Sequence, residues 1–281
     1  MSQTISTTDL TKEFGAVTAL DGIDLDVSGS TIVGVAGPNG SGKTTLIECL
    51  LGLIRPTAGE GTINGTSSGS FTAAERRRIG YMPQDRAIYD DLSVRENVSF
   101  FASLYDVERR ETAVDEALSV VDLTDREGAR IGELSGGMVR RTSLACSLVH
   151  DPDVLFLDEP TIGLDPKLRA SMWEEFRDRR DDGVLVFVST HYLGEASRCD
   201  RVLFLRDGRV LAIDSPAGFR DRTGAEDMEA VFLDLLDGTA ATGTDRRTAA
   251  GGGAVPNGDG RDSKATSTAA RSPRDRGGER R

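Results

Sequence analysis

The sequence predicts an α/β protein with a mostly parallel core sheet, an antiparallel β subdomain at the N-terminus and a helical insert in the middle. Three observations lead there. From Ser135 onward, short apolar strands alternate with helix-length segments, the pattern of a parallel sheet with helices on its faces. A glycine-rich loop, Gly37-Pro38-Asn39-Gly40-Ser41-Gly42-Lys43-Thr44, joins an apolar run to an amphipathic segment. Residues 85–134 carry helical patterning without an intervening strand.

In chain order, residues 3–36 read as β-rich. Ile23, Leu25 and Val27 alternate after an Asp21-Gly22 pair that predicts a turn, and 31–36 is an uninterrupted strand. After the glycine-rich loop, 44–51 predicts a helix with Leu46, Ile47, Leu50, Leu51 and Ile54 on one face. Residues 56–70, rich in Gly, Thr and Ser, hold a short strand at 62–63; 73–78 is a charged helix and 79–82 a strand. Ser93-Val94-Arg95-Glu96 is a capping box, opening a helix that carries Val98, Phe101, Leu104 and Tyr105, and a second helix covers 113–121. Then come a helix over 135–150, a strand at 154–157, a helix over 167–179 and a strand at 184–189. Strands at 201–206 and 209–213 flank Asp207-Gly208 as a hairpin, and a last helix spans 227–236. Beyond it lies a tail over 237–281 with almost no large apolar residues, too little to order itself.

The glycine-rich loop is a complete G-x-x-x-x-G-K-T, placed between strand and helix, and that context makes it a nucleoside triphosphate site. Its backbone N–H groups cradle phosphates, Lys43 adds a point charge, the Thr44 hydroxyl is placed for Mg²⁺, and the helix N-terminus points at the same anion. Val154-Leu155-Phe156-Leu157-Asp158-Glu159 ends an apolar strand in two carboxylates, which sets both at the carboxyl edge of the sheet. Asp158 fits the Mg²⁺ role and Glu159 a general base for an attacking water. Leu134-Ser135-Gly136-Gly137-Met138 opens a helix and forms a second anion-binding N-terminus.

The order of six motifs resembles the nucleotide-binding subunit of ATP-binding-cassette (ABC) transporters: phosphate loop, Gln84, Leu-Ser-Gly-Gly, the strand ending in Asp-Glu, Gly163-Leu164-Asp165, and His191 in Ser-Thr-His. The likeness covers residues 3–236 and implies a P-loop NTPase of ABC type with ATP and Mg²⁺ as ligands and a helical subdomain over about 85–134. By that resemblance Phe14 stacks on adenine with Val17 on the ribose side, and Thr45 joins the loop residues at the nucleotide. Gln84 reaches Mg²⁺ and the attacking water, and His191 reaches the γ-phosphate, acting by hydrogen bonding and positioning. Ser135, Gly136 and Gly137 of one subunit close on the nucleotide held by another, and Asp165 joins the two copies. The partners implied are a second ATP-binding subunit, in a homodimer, and an integral-membrane permease reached through the insert and residues 85–92. The run Glu96-Asn97-Val98-Ser99-Phe100-Phe101, Met138 where many importers have glutamine, and Thr190-His191-Tyr192-Leu193 resemble the group that exports drugs, lipids or polysaccharides.

Composition agrees with this and excludes other classes. The net charge is −12, and residues 238–281 carry nine Arg and Lys against five Asp and Glu, leaving the rest near −16. An acidic body with four lysines among 34 basic residues does not suit nucleic acid as the partner. The longest compact apolar stretch, 184–188, is far short of a membrane span, and no secretory signal opens the chain. The expected place is therefore the cytoplasm, peripheral to the membrane through the permease. Cys49, Cys146 and Cys199 lack metal-ligand spacing, His150 reads as structural, and Arg76-Arg77-Arg78 reads as a solvated helix end.

The competing classes are a soluble translation or DNA-repair ATPase, an importer ATPase, and a non-catalytic nucleotide-binding module. Translation ATPases of this type usually carry two cassettes, and repair ATPases insert a long coiled coil where only about ninety residues separate Lys43 from Ser135 here. Intact Glu159 and His191 oppose a non-catalytic module. Deleting residues 238–281 is expected to leave the implied ATPase activity near its full-length value; a large loss in a phosphate-release assay would contradict the reading of the tail.

Overall fold

β1 (Thr4–Phe14) and β2 (Val17–Ser28) form an antiparallel pair that turns at Gly15-Ala16 in the computed structural model, which describes residues 2–238. The predicted turn at Asp21-Gly22 is instead part of β2. Leu10 pairs with Ile23 while Lys12 pairs with Leu20, so β2 holds one extra residue, a bulge with Gly22 at φ +65°. An Asp-Gly pair suits a bulge for the same reason that it suits a turn, since both require a left-handed residue. The bulge has a use: Asp21 N–H donates to the Gly208 carbonyl at 2.8 Å and so ties this sheet to the core.

The glycine-rich loop leads into α1 (Lys43–Leu50). β4 (Ala58–Ile63), preceded in the numbering by β3 (Ile32–Ala36), and β5 (Thr66–Ser67) complete a four-stranded sheet in the order β2-β1-β4-β5. β4 is longer than the predicted strand because its glycine-rich first half offers no apolar alternation to read. Next come α2 (Ala73–Arg76) and β6 (Ile79–Met82). The helical insert follows as α3 (Val94–Leu104) and α4 (Arg110–Val120), and Ser93 and Glu96 make the reciprocal capping bonds predicted for α3. Then come α5 (Gly136–Leu148), β7 (Val154–Asp158), α6 (Pro166–Asp181) and β8 (Leu185–Thr190). The described chain closes with α7 (Leu193–Ala196), β9 (Arg201–Arg206), β10 (Arg209–Asp214), α8 (Pro216–Thr223) and α9 (Met228–Leu236). α7 and α8 were not predicted. α7 is a single turn, and α8 buries little more than Phe219 and Pro216, so neither has a stripe that periodicity can detect.

The core sheet has the order β10-β9-β3-β8-β7-β6, parallel throughout except for β10, which returns antiparallel through the predicted Asp207-Gly208 hairpin. Both faces are covered, which is why its central strands are apolar runs without alternation. Val33, Val35, Phe156, Phe187 and Leu203 pack toward α1 and the antiparallel sheet, together with Leu46, Ile47 and Leu50. Their neighbours Leu155, Leu157, Val186, Val188 and Phe204 pack the opposite way, against a layer containing Trp173, Phe176 and Leu144. α1 is thus wedged between two sheets. That wedge aims its N-terminus along the carboxyl ends of β3, β7 and β8.

Several smaller expectations are met. The three cysteines are buried and unpaired, and burial pushes their thiol pKa values up, that of Cys49 to about 11. His150 stacks on Tyr105 with centroids 3.8 Å apart, its Nε2 lies 3.1 Å from the Ile79 carbonyl, and burial lowers its pKa. Arg77 and Arg78 are half-exposed and pair with Asp106 and Asp153. The predicted tail, apart from its first two residues, lies outside the described residues.

Phe187 is fully buried between α1 and the sheet. Phe187→Ala is expected to cost about 3–5 kcal/mol of folding stability, measured by denaturant unfolding.

Candidate functional site

The glycine-rich loop leaves β3 and passes so close to β9 that only glycine fits at its start. A Cβ on Gly37 would lie 2.1 Å from the Leu205 carbonyl oxygen. At Gly42 the backbone takes φ +106°, and a Cβ would approach the Ala19 carbonyl to 2.6 Å. The loop is pinned by its neighbours: Gly37 N–H donates to the Thr190 carbonyl at 3.3 Å, and Gly208 N–H donates to the Ser41 carbonyl at 3.1 Å. An open cleft of about 420 Å³ lies above it, lined among others by Asn39, Gly40, Gly42, Lys43, Thr44 and Thr45. Gly37 and Ser41 are buried and Pro38 is exposed, all three outside the lining; Lys43 Nζ donates to the carbonyls of Gly37 and Pro38 at 3.0 and 3.1 Å.

Three strand ends bring the acidic groups to this loop. Glu159 follows β7 in a left-handed conformation, φ +51°, a strained state for a glutamate that its surroundings must hold. They do so on every side. The Ser189 hydroxyl accepts from Glu159 N–H at 2.9 Å and donates to Asp158 Oδ1. Glu159 Oε1 lies 3.3 Å from Lys43 Nζ, both side chains being 5% exposed, while Oε2 meets His191 Nδ1. Lys43, Glu159 and His191, some 150 residues apart in sequence, form one chain of charge-assisted contacts.

Asp158 is fully buried, and burial holds its carboxyl above the usual carboxylate range; hydrogen bonds from Ser189 and Thr44 oppose that, and Glu159 adds to it. Its Oδ2 has no hydrogen-bond partner. A buried carboxylate oxygen without a donor, next to a threonine hydroxyl, is a fit for a hard cation such as Mg²⁺. Among the described residues no cluster of three His, Cys, Asp or Glu is arranged around one point, so such an ion would draw its remaining ligands from phosphate and water.

The other predicted residues divide into two groups. Phe14 and Gln84 line the same cleft, Phe14 half-exposed with Lys12 Nζ 4.8 Å from its ring centroid. Val17 pairs with Phe14 across the β1–β2 turn and is 64% exposed, outside the lining. Ser135 caps α5 by accepting from Met138 N–H at 3.3 Å, and Ser135 and Gly136 are exposed and absent from the cleft. Asp165 likewise caps α6, accepting from Lys167 and Leu168 N–H at 2.9 and 3.0 Å, and stands exposed. One chain therefore assembles the loop, both carboxylates and His191, and leaves Ser135, Gly136 and Asp165 exposed, with Gly137 half-buried beside them.

Sequence reasoning missed three contributors. Ser189 is the hydroxyl that holds Asp158 and Glu159 in place, and its position two residues before His191 was the available signal. Ile162 gives the cleft an apolar wall. Arg140, on α5, donates to the Pro83 carbonyl at 3.3 Å and so links that helix to the Gln84 loop; no local pattern marks it.

Comparison with known proteins agrees with this geometry. A family model described as "ABC transporter" matches residues 20–162. A daunorubicin resistance ATP-binding protein of Streptomyces coeruleorubidus is 40% identical over 83% of this chain and 75% of its own length. A Nod factor export ATP-binding protein of Burkholderia lata is 40% identical over 73% of this chain and 68% of its own. Among solved structures, an ATP-binding cassette described as a dimer in a post-hydrolysis state with ADP and Pi superposes with a TM-score of 0.69 at 27% identity. That match covers 75% of this chain and 98% of the other.

Because the Asp158 carboxyl is shifted upward in the folded chain, its ionisation opposes folding as pH rises through that pKa. Asp158→Asn is expected to raise Tm at neutral pH, without nucleotide, as scanning calorimetry would register.

Proposed function

The chain belongs to the ABC transporter family as an ATP-binding subunit with ATPase activity, and on that premise we propose that two copies close around ATP to drive a separate membrane permease in export. One observation carries this most directly. The second anion-binding helix end, with Ser135 and Gly136 exposed and Gly137 half-buried, takes no part in the phosphate cleft built around Lys43. A second copy can bring that helix end to the phosphate, and the exposed cap Asp165 is placed to join the two.

In the proposed cycle Lys43 and the loop amides from Gly37 to Thr45 hold the β- and γ-phosphates, while Phe14 offers its exposed face to the base and Val17 lies beside the ribose. Thr44, Asp158 and Gln84 would hold Mg²⁺, which when bound would neutralise charge on the phosphate oxygens. Glu159 accepts the proton of the attacking water, from a position fixed by Ser189 and by Lys43. His191 contacts the γ-phosphate and keeps the Glu159 carboxylate oriented. The γ-phosphate is bound by both copies in the closed state, so its loss weakens closure; that difference in contacts is what allows hydrolysis to act as a switch.

A permease has a surface to use. An apolar groove of about 460 Å³ runs beside the helical insert, lined by Leu51, Phe71, Ile79, Tyr81, Leu104 and Tyr105 among others. No helix among the described residues is long and apolar enough to cross a membrane, in keeping with a cassette that works at the cytoplasmic face on spans supplied by another chain. The relatives named for drug resistance and for Nod factor export support the outward direction.

Glu159→Gln is expected to lower ATP turnover by roughly 10²–10⁴-fold while ATP still binds, and sedimentation at saturating ATP should then find a dimer; monomers would contradict the proposal. Lys43→Ala is expected to weaken nucleotide binding by about tenfold or more in a fluorescence titration, the loss of one buried charge-assisted contact.

A further inference from the structure

Glu195 is a carboxylate that the site as described does not use. It lies on the single turn α7 and is 5% exposed. Its Oε2 accepts from the Thr161 hydroxyl at 2.8 Å and from the Thr190 hydroxyl at 3.4 Å; the two threonines are each 1% exposed. Its Oε1 lies 3.2 Å from Arg169 Nε. Thr161 begins the segment that ends in Asp165, and Thr190 immediately precedes His191. One buried carboxylate thus touches both loops that carry the outward interface residue and the histidine.

Arg169 repeats the pattern from α6. Its Nη2 donates to the Leu164 carbonyl at 3.2 Å, in the Asp165 loop, and its guanidinium stands 5.2 Å from the ring centroid of Tyr192, in the His191 loop. Tyr192 in turn packs on the His191 ring, centroids 4.1 Å apart. The pair therefore has four grips, two on each loop, and both members are anchored on helices. A buried carboxylate bearing two hydroxyl donors and a cation is costly to assemble and strongly destabilised by loss of any partner. That cost makes the relative placement of the two loops stiff.

We propose that Glu195 and Arg169 are positioning residues that set the His191 loop against the Asp165 loop, so that turnover depends on them while nucleotide binding does not. This rests on the assignment of His191 to the γ-phosphate and of Asp165 to the interface made above. Movement of Asp165 when a second copy closes is transmitted through Thr161 and Leu164 to Glu195 and Arg169, and from them through Thr190 and Tyr192 to His191. Neither Glu195 nor Arg169 lines the cleft, and the path meets the phosphate loop at one backbone contact, Gly37 N–H to the Thr190 carbonyl, which involves neither side chain.

The test uses the full chain with Glu195→Gln, which keeps the size and one acceptor oxygen of the side chain but replaces the other with a donor, Arg169→Met, and both together. Each single variant is expected to lower kcat by roughly 10- to 100-fold, the cost of a misplaced catalytic group, with nucleotide Kd within about twofold. The double variant should be no slower than the slower single, because the pair acts as a unit. Without nucleotide, amide exchange should rise in both 161–165 and 190–193 and stay unchanged in 38–45, beyond the Gly37 amide that is bonded to Thr190. Unchanged kcat, additive losses, Kd rising in step with the fall in kcat, or faster exchange in one loop alone would each overturn the proposal. His191→Ala, measured alongside, separates the two layers: if it turns over at the full rate, the assignment of His191 fails, whereas a slow His191→Ala beside a full-rate Glu195→Gln leaves that assignment standing and removes only the clamp.

Discussion

The site depends on one carboxylate held between two nitrogen groups and nearly out of reach of water. Glu159 has Lys43 3.3 Å from one oxygen and His191 against the other, in a backbone state that glutamate adopts only under constraint. Such an arrangement is expensive by itself: ions are being removed from solvent, and each pays a desolvation cost that only close partners offset. The fold meets that cost by bringing three strand ends together. β3 delivers the loop with Lys43, β7 delivers Asp158 and Glu159, and β8 delivers Ser189, Thr190 and His191. Parallel register is what makes their carboxyl ends coincide.

The rest of the architecture follows from supporting those ends. α1 sits between two sheets, so its N-terminus cannot swing, and the bulge in β2 locks the antiparallel sheet to the β9–β10 hairpin through Asp21 and Gly208. The opposite face of the core sheet is covered by α5, α6 and α9, which also present Ser135 and Asp165 at their capped N-termini. The same local chemistry, a serine or aspartate capping a helix, serves folding inside the chain and leaves both residues exposed. A cap is a sufficient account of each residue taken alone, and only the ordered set of motifs points to a proposed use beyond it.

The elements that the sequence revealed are those with strong local signals. The strands β3, β7 and β8 are apolar runs bounded by turn residues, α3 carries a full capping box, and the Asp207-Gly208 hairpin is a left-handed pair between two short apolar strands. The failures have the opposite character. Asp21-Gly22 has turn chemistry but a bulge geometry, because its long-range partner, Gly208, decides which of the two forms. α7 and α8 are too short to display a period, and the first half of β4, Ala58-Gly59-Glu60, has no large apolar side chain to alternate.

The chemistry of the site was therefore legible in the order of residues: a phosphate loop with Lys43 and Thr44, two carboxylates at a strand end, a histidine after the next strand, and a Ser-Gly-Gly helix start of a kind that binds anions. Those are properties of residue type and near neighbours, which a linear string contains. Tertiary structure alone decided that Ser189 would hold Asp158 and Glu159, that Arg140 would reach the Gln84 loop, and that Glu195 and Arg169 would grip two loops at once. Each of these contacts joins segments that neither periodicity nor spacing relates, and it exists because parallel strands and packed helices fix distances between residues far apart along the chain.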